Sequence, residues 1–340
     1  MGTSVANGSD ILILKGHEVL SLLRGREREL LDTVRMAYAA HADGKSSLPQ
    51  SLFLRFPGDS LNRVIALPAY LGDGFQVAGM KWVSSFPGNV EKGMERASAV
   101  VVLNSPETGR PEAIIEGSII SARRTAASAA LAAQHLRQVR GGAAGLVGCG
   151  RINFEILRFL LSIDPELERL LVFDTEAERA GQFAERCRGL REGLTVEVAA
   201  DIRDVFTNCP LISFATTAVE PHVRDLSDCA PGTTILNVSL RDFAPEVILA
   251  ADNVVDDVEH VCRAQTSVHL AEQLSGNRDF IRATLAEVCA GTAPPKRNPD
   301  AVTIFSPFGL GVLDIALAEF VRAEADAKGL GVRVDDFLAS

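Results

Sequence analysis

Long apolar runs are missing from this 340-residue sequence. None approaches the ~18 residues that a helix needs to cross a bilayer, so we exclude a membrane-spanning protein. The polar start, residues 1–10, has no basic n-region, and we interpret it as a frayed tail and not as a secretory signal. Internal repeats and low-complexity tracts are absent as well.

Closely spaced cysteines are also missing. No two of the six cysteines form a CxxC pair, and a spacing of roughly 20 residues or more suits neither a zinc site nor a disulfide scaffold. We therefore expect no metal site and free, mostly buried thiols in a reducing cytoplasm. The cysteines are Cys149, Cys187, Cys209, Cys229, Cys262 and Cys289.

An excess of positive charge is also missing. The sequence has 34 basic and 44 acidic residues, which gives a net charge of −10. This balance argues against nucleic acid and against an anionic membrane surface as the main partner. It does not exclude a small anionic ligand, since a few arginines and lysines suffice to build a positive pocket.

The length and the pattern of apolar residues predict two domains. The first covers residues 1–135 and is completed by 306–340, and the second covers 136–305. The second alternates short, apolar, β-branched strands with helices, which is typical of a doubly wound parallel sheet of the Rossmann type. Its strands are predicted at 144–147, 170–173, 195–199, 211–214, 234–238 and 253–255.

The first domain is predicted to be α+β. Strands are expected at 11–14, 51–55, 63–68, 76–83, 99–104 and 113–116, and helices at 30–42 and 119–136. One more strand, 302–305, ends the second domain, and a Gly/Pro loop then leads to a helix at 312–326. We expect this last helix to return to the first domain.

A dinucleotide site is predicted where the first strand of the second domain meets its helix. Gly148 makes the tight turn, Gly150 lets the backbone approach a pyrophosphate, and the helix N-terminus attracts that anion. The third glycine of the fingerprint is replaced by Asn153. The next strand ends at Asp174, where an acid binds the ribose hydroxyls, and no arginine directly follows it to hold a 2′-phosphate, which favours NAD over NADP.

The remaining cofactor-binding positions follow from this loop and its neighbours. Ala215-Thr216-Thr217 ends another strand with small residues suited to a dinucleotide, and Gly309 either lets the last loop approach the cofactor or serves a plain helix-entry turn. The predicted cofactor-binding residues are Thr125, Gly148, Gly150, Arg151, Ile152, Asn153, Asp174, Thr216, Thr217 and Gly309.

Basic residues in apolar surroundings mark a second site in the first domain. Arg55 ends a strand, Lys81 lies in an apolar strand, and Arg124 interrupts an Ala-rich helix. A buried cation requires an anion, and the planar guanidinium suits a carboxylate. Each of them is otherwise explained as a solvated surface charge.

Several segments resemble the ornithine cyclodeaminase/mu-crystallin family, in the family's order and over nearly the whole chain. They are Leu67–Tyr70, Lys81–Asn89, Glu107–Gly109, Arg124–Ala127 and Val147–Gly150. Four segments, one of them within Lys81–Asn89, are most similar to the branch that oxidises N-(2-amino-2-carboxyethyl)-L-glutamate in 2,3-diaminopropionate biosynthesis. These are Leu52–Arg55, Lys81–Pro87, Arg96–Ala99 and Asn237–Asp242.

The resemblance implies a homodimer whose first domain supplies the dimer contact and the substrate groups. It implies that Arg55, Lys81 and Arg124 bind substrate carboxylates, that Thr125 lies near the nicotinamide or phosphates, and that Asp242 is the catalytic aspartate. We assign Asp242 the role of general base for water and Lys81 that of polarising the carboxylate or the developing charge. The alternative for Asp242 is a carboxylate that caps a turn.

Arg241 either binds a third carboxylate or pairs with a surface acid. The histidines form no recognisable triad with a serine or cysteine, and we interpret His41, His222, His260 and His269 as ordinary core or surface residues.

One departure from the family bears on the substrate. Cyclodeaminases have a glutamate three residues before the proline that aligns with Pro68, and Ile65 occupies that position here. The resemblance therefore favours a tricarboxylate amino acid and NAD, in a pathway to siderophores or peptide antibiotics. The alternatives are an ornithine cyclodeaminase, another amino or imino acid dehydrogenase, and a non-catalytic NAD(P)-dependent binder of the mu-crystallin type.

Overall fold

The computed structural model describes residues 10–59, 61–139 and 142–338. The tail at residues 1–9 and one residue of the predicted helix break, Gly141, lie outside them. Within the described residues the strands are β1 (Ile11–Leu14), β2 (Ser46–Ser47), β3 (Leu52–Arg55), β4 (Arg63–Leu71), β5 (Val77–Ser85), β6 (Ala97–Asn104), β7 (Pro111–Glu116), β8 (Gly142–Val147), β9 (Leu167–Phe173), β10 (Thr195–Val198), β11 (Leu211–Phe214), β12 (Thr234–Asn237), β13 (Asp252–Val255), β14 (Ile281–Thr284), β15 (Thr303–Ser306) and β16 (Val332–Val334).

The helices in the same ranges are α1 (Gly16–Leu23), α2 (Glu27–Ala42), α3 (Gly117–Leu136), α4 (Arg151–Ile163), α5 (Ala177–Arg188), α6 (Ile202–Asn208), α7 (Pro245–Ala250), α8 (Val258–Val261), α9 (Ser267–Ser275), α10 (Leu285–Ala290) and α11 (Gly311–Lys328). A 3-10 helix covers Pro87–Lys92. None of the described helices is long and apolar enough for a bilayer.

The chain divides into two compact units by contact. The first comprises residues 1–26, 36–124 and 310–340, and the second comprises 27–35 and 125–309. The first boundary falls inside α3, eleven residues before the predicted one at 135/136, because one continuous helix contributes to both units. The second falls after Gly309 and not after residue 305, and part of α2 belongs to the second unit.

The first unit is built on a mixed sheet in the order β16-β1-β7-β6-β5-β4-β2, with β3 paired to β4. The long strands β4, β5 and β6 are antiparallel and in continuous register, so Leu67, Lys81 and Val101 lie side by side. The last helix, α11, packs on these three strands and belongs to the first unit. Its apolar residues, Val312 to Ala318, are buried there together with Asp314.

The second unit contains a parallel sheet in the order β10-β9-β8-β11-β12-β15-β13-β14. Strand β8 is central. The chain proceeds from it to β9 and β10 on one side and returns to β11 on the other, so the strand order reverses between β8 and β11. This is the doubly wound topology, and the α/β fold class predicted from the sequence is confirmed. Ligands of such sheets bind at the carboxyl ends of the strands that flank the reversal.

Two features of this sheet differ from the predicted strand list. Strand β14 was not predicted, and β15 inserts between β12 and β13, where its Thr303 pairs with Thr234 on one side and Asp252 on the other. The central strands β11, β12 and β15 are buried on both faces, with no exposed residue. Such strands gain their free energy from burial of apolar surface.

Candidate active-site groups

A buried carboxylate joins two of the predicted substrate-binding cations of the first unit. Lys81 Nζ lies 2.7 Å from Asp314 Oδ2, and Arg124 Nε donates to Asp314 Oδ1 at 3.0 Å. Asp314 is fully buried and Lys81 is 2% exposed. Lys81 Nζ also donates to Ser121 Oγ at 3.1 Å. The three charges leave a net charge of +1 in a region shielded from water.

Burial decides the acid–base behaviour of Lys81. Desolvation and, to a smaller extent, the neighbouring Arg124 lower its pKa from 10.5 to about 8, although Asp314 opposes both by stabilising the ammonium. A lysine with such a pKa exchanges a proton near neutral pH more readily than a solvated one. Asp314 was missed from the sequence; its only signal there is a single acid among the apolar residues that begin α11.

The sheet register shows which predicted residues share the face of Lys81. Directly opposed residues of antiparallel strands project to the same side, and Lys81 and Val83 face Leu67 and Ile65. The same row continues to Phe53, so Arg55, two residues further along β3, projects to this side as well. Ile65 therefore lies on the face of Lys81, and the glutamate of the cyclodeaminases has no counterpart at this position.

Arg55 and a second arginine lie at one end of this face. Arg55 is exposed and lies over the Phe53 ring, 5.9 Å from its centroid. Arg96 donates to Ser85 Oγ at 3.4 Å, and Ser85 lies on the face of Lys81, four residues and therefore roughly 13 Å along β5. Burial lowers the pKa of Arg96. It appeared in the sequence only as part of a family motif, and its position adds it to the candidate carboxylate-binding groups.

The predicted dinucleotide loop lies at the reversal point of the second sheet. Gly148 has φ +93°, and a Cβ there would lie 2.5 Å from the carbonyl oxygen of Ala215, so no other residue fits. Gly150 precedes α4, and a Cβ on it would meet nothing within 4 Å. The first residues of α4, Arg151 and Ile152, are half-buried at the helix N-terminus, where N–H groups and the helix dipole attract an anion.

Asn153 explains how the loop closes without the third glycine. The side chain is fully buried, and its Nδ2 donates to the carbonyls of Val147 and Gly148 at 2.9 and 2.8 Å. Its Oδ1 accepts from Ser213 Oγ at 2.8 Å. The amide therefore ties α4 to β8 and β11 by hydrogen bonds, in place of the close packing that a glycine allows. Its side chain faces the sheet and holds the loop.

Asp174 follows β9 and is bound to the same loop. Its Oδ2 accepts from Cys149 N at 2.8 Å and its Oδ1 from Glu176 N at 3.0 Å, and its side chain is 8% exposed. The sequence interpretation found no arginine beside it, and the structure corrects this. Arg179 lies in the first turn of α5, and its Nη1 is 3.5 Å from Asp174 Oδ1. Since α5 begins only a few residues after β9, its first turn is close to the end of that strand.

The remaining cofactor-loop positions differ in exposure. Thr217 is exposed, whereas Thr216 directs its hydroxyl to Asp242 Oδ1 at 2.5 Å. Thr125 is half-buried in α3, adjacent in sequence to Arg124. Gly309 donates its N–H to Asp256 Oδ2 at 2.7 Å, and Asp256 is a buried acid whose pKa burial raises to about 6.

Asp242 is the centre of a polar network that the sequence did not reveal. The carboxylate is fully buried, and besides Thr216 it accepts from Ser239 Oγ and from His222 Nε2, the latter at 3.0 Å. The interpretation of His222 as an ordinary histidine is therefore corrected. The strained turn before Asp242 contains Leu240 at φ +69°, whose N–H donates to Asn237 Oδ1. Arg241 donates to the carbonyl of Ala264 at 2.8 Å.

The cysteines are free, and four of the six are buried, as expected. Burial raises the pKa of Cys149, in the dinucleotide loop, to about 12. Its thiol is therefore neutral near pH 7 and is no nucleophile.

Among known proteins, the chain is similar to several amino and imino acid dehydrogenases and reductases. An N-((2S)-2-amino-2-carboxyethyl)-L-glutamate dehydrogenase of Staphylococcus aureus is 29% identical over 90% of this chain and 92% of its own. Among solved structures, a Thermococcus litoralis Δ1-pyrroline-2-carboxylate reductase with NADH and L-proline superposes with a TM-score of 0.88 at 26% identity, covering 95% of this chain and all of that one. An archaeal alanine dehydrogenase dimer with bound NAD gives a TM-score of 0.85 at 28% identity over 96% and 99% of the two chains.

The family itself follows from a match over most of the chain. Residues 11–329 fit the model of one family, and they include both the cation cluster around Asp314 and the dinucleotide loop. The resemblance found in the sequence is thereby confirmed. The chain belongs to the ornithine cyclodeaminase/mu-crystallin family.

Proposed function

We propose that the chain is an NAD-dependent oxidoreductase that cleaves N-(2-amino-2-carboxyethyl)-L-glutamate to 2-oxoglutarate and L-2,3-diaminopropionate. The observation that carries the proposal is the similarity along 90% of the chain to the dehydrogenase of that compound. The overall reaction consumes NAD⁺ and water and yields NADH and a proton with the two products. Diaminopropionate of this kind is a building block of siderophores and peptide antibiotics.

The residues of the second unit fit a dinucleotide. Open space at Gly150, the uncapped N-terminus of α4 and the Asp174 carboxylate provide the room, the anion site and the ribose acceptor that NAD requires. Two similar structures contain NADH or NAD, which supports the same cofactor here. When bound, NAD⁺ supplies the acceptor for the hydride of the substrate's glutamate Cα.

The first unit supplies the positive charges for the substrate carboxylates. The Asp314 carboxylate neutralises one of the charges of Lys81 and Arg124, so the pair presents one net positive charge. The register places Arg55 and Arg63 on the same face, and Arg96 contacts Ser85 there, so further cations are present for the other carboxylates. Cations held in place orient a substrate with several carboxylates. Arg241, which donates to Ala264, is a weaker candidate for a third carboxylate than Arg96.

In this assignment, oxidation leaves an imine on the substrate, and water adds to its carbon. Asp242 supplies the negative charge that activates the water. Lys81, with its pKa near 8, polarises a carboxylate or donates to the developing charge.

Other activities of the family make different predictions. An ornithine cyclodeaminase regenerates its NAD and accumulates no NADH, and the absence of a carboxylate at Ile65 disfavours a diamine substrate. An alanine dehydrogenase, represented by a structure 28% identical, forms NADH from L-alanine. A non-catalytic binder of the mu-crystallin type retains NADH without turnover.

The assembly and location are also proposals. We assign dimer formation to the first unit, since it exposes the large apolar side chains Leu52 (63%), Leu54 (43%), Val90 (54%) and Met94 (52%). A homodimer in the cytoplasm agrees with these surfaces and with the free cysteines. Light scattering on the wild type and on Leu52→Glu tests the dimer, and a monomeric wild type refutes it.

The decisive experiment incubates the protein with NAD⁺ and N-(2-amino-2-carboxyethyl)-L-glutamate. We expect NADH and 2-oxoglutarate in equal amounts, with L-alanine, L-proline and L-ornithine as comparison substrates. NADH from L-alanine alone, or proline from ornithine without net NADH, refutes the proposed substrate. Retention of NADH with no turnover of any of them supports the binder.

A further inference from the structure

His222 is fixed beside the buried Asp242 by its backbone as well as by its side chain. The amides of His222 and Val223 both donate to the carbonyl of Asp242, at 2.9 and 2.8 Å, and Ala244 N donates back to Val223 O at 2.9 Å. These bonds form a short parallel bridge between Val223 and Phe243. The contact between His222 Nε2 and Asp242 Oδ1 is therefore built into the fold.

The two members of this pair differ in their access to water. Asp242 is fully buried, and its oxygens already accept from Thr216 and Ser239 as well as from His222. The side chain of His222 is 47% exposed. A water molecule at this site therefore meets the imidazole and not the carboxylate.

The carboxylate also decides which imidazole nitrogen holds the lone pair. Because a carboxylate only accepts hydrogen bonds, Nε2 of His222 carries the hydrogen, and Nδ1 has the lone pair of the neutral ring. In the described part of the chain no group hydrogen bonds to Nδ1. An oriented imidazole backed by a buried carboxylate is an arrangement suited to general-base catalysis.

We infer that His222 is the catalytic residue that takes the proton from the attacking water, with Asp242 as its positioning residue. This inference rests on the proposed function. As the water oxygen bonds to the imine carbon, a water proton passes to Nδ1 and the C=N electrons pass to nitrogen. The nitrogen then takes the proton from the imidazolium. His222 then takes the proton of the carbinolamine O–H and passes it to the nitrogen. The C–N bond breaks with its electron pair going to that nitrogen, which leaves as the amine of L-2,3-diaminopropionate, and the O–H oxygen becomes the ketone of 2-oxoglutarate.

Separate measurement of the two half-reactions tests this role. His222→Gln keeps a donor for Asp242 but has no basic nitrogen. We expect 2-oxoglutarate release to fall by about 10²- to 10⁴-fold, while NADH formed in a single turnover stays within about threefold of wild type. Added imidazole restores release in His222→Gly and not in Asp242→Asn. His269→Gln, at a histidine bonded to Gln265 and Gln273, is the matched control and stays at the wild-type rate.

A substrate-free measurement separates this inference from the proposed function. Heteronuclear NMR of the His222 ring, assigned by its loss in His222→Gln, reports which nitrogen is protonated in the neutral ring. An Nε2–H ring supports the pair even if the wild type forms no NADH, an outcome that refutes the proposed substrate instead. An Nδ1–H ring, or 2-oxoglutarate release by His222→Gln at the wild-type rate, overturns the inference.

Discussion

Replacing Asp314 with asparagine tests whether one buried carboxylate holds the cation cluster of the first unit. Asp314→Asn keeps the shape of the side chain and removes the charge that Lys81 and Arg124 share. Two buried cations then lie close together without a counter-ion. Breaking a buried ion pair from one side costs about 3–5 kcal/mol, because a desolvated charge remains uncompensated.

The pKa of Lys81 reports on the same free-energy cost of a buried positive charge. Its fall from 10.5 to about 8 corresponds to about 3 kcal/mol against the ammonium even with Asp314 present. Between about pH 8 and pH 10.5 Lys81 is more often protonated in the unfolded chain than in the folded one, so the free energy of unfolding rises with pH. Without Asp314 the pKa falls further, and the rise begins at lower pH. The destabilisation by Asp314→Asn is therefore largest near pH 6 and smaller near pH 9.

Urea unfolding at pH 6 and pH 9 measures both effects. Asp326→Asn, on the same helix but with a side chain 33% exposed, is the control, and we expect it to change the free energy of unfolding by less than about 1 kcal/mol. The double variant Asp314→Leu with Lys81→Met is expected to recover part of the loss, since apolar residues often replace a buried pair at little cost. A value for Asp314→Asn within about 0.5 kcal/mol of wild type at pH 6 would refute this reasoning.

Three further predictions concern the second unit. Gly148→Ala is expected to weaken NADH binding at least tenfold in a fluorescence titration, since the new Cβ overlaps the Ala215 carbonyl; unchanged binding contradicts the assigned loop geometry. The stability that the raised pKa of Asp256 contributes is present below about pH 3.8 and is lost as the pH rises through about 6. The unfolding temperature of the wild type is therefore expected to fall between pH 4 and pH 7, and Asp256→Asn is expected to abolish this fall. Asp174→Ser is expected to leave Arg179 free for a 2′-phosphate and to raise the NADP/NAD ratio of kcat/KM at least tenfold, and an unchanged ratio in an NADPH assay refutes that role of Asp174.

Local patterns sufficed for most elements of the fold. The strands predicted at 11–14 and 211–214 match β1 and β11, because their consecutive apolar residues are buried in the core, as the sequence pattern indicates. The misses are short or polar: β14 has four residues, two of them polar, and β16 is an exposed strand paired to β1. The insertion of β15 between β12 and β13 depends on pairing between distant parts of the chain, which no local period reports.

The candidate site was predictable where one residue type carries the chemistry alone. Gly148 and Asp174 follow strands at the spacing that predicts a dinucleotide loop, and Lys81 is a cation in an apolar strand. Asp314 and His222 are different, since each acquires its meaning from a partner that is distant in sequence. Asp314 lies 190 residues from Arg124, and His222 lies 20 residues from Asp242.

These partners change the chemistry assigned to the predicted residues. Lys81 and Arg124 were predicted to bind substrate carboxylates, but with Asp314 between them they retain one net positive charge. The proposed tricarboxylate substrate therefore requires further cations, such as Arg55 and Arg96, for its other carboxylates. Asp242 was predicted as the general base for water. It has no exposed surface, and we propose that its charge acts through His222. In both cases a buried charge is paired, and its effect on a ligand is expected to pass through the partner. The reactive property of each site therefore belongs to the pair, and variants of Asp314 and His222 are expected to alter the reaction as strongly as variants of the residues that the sequence identified.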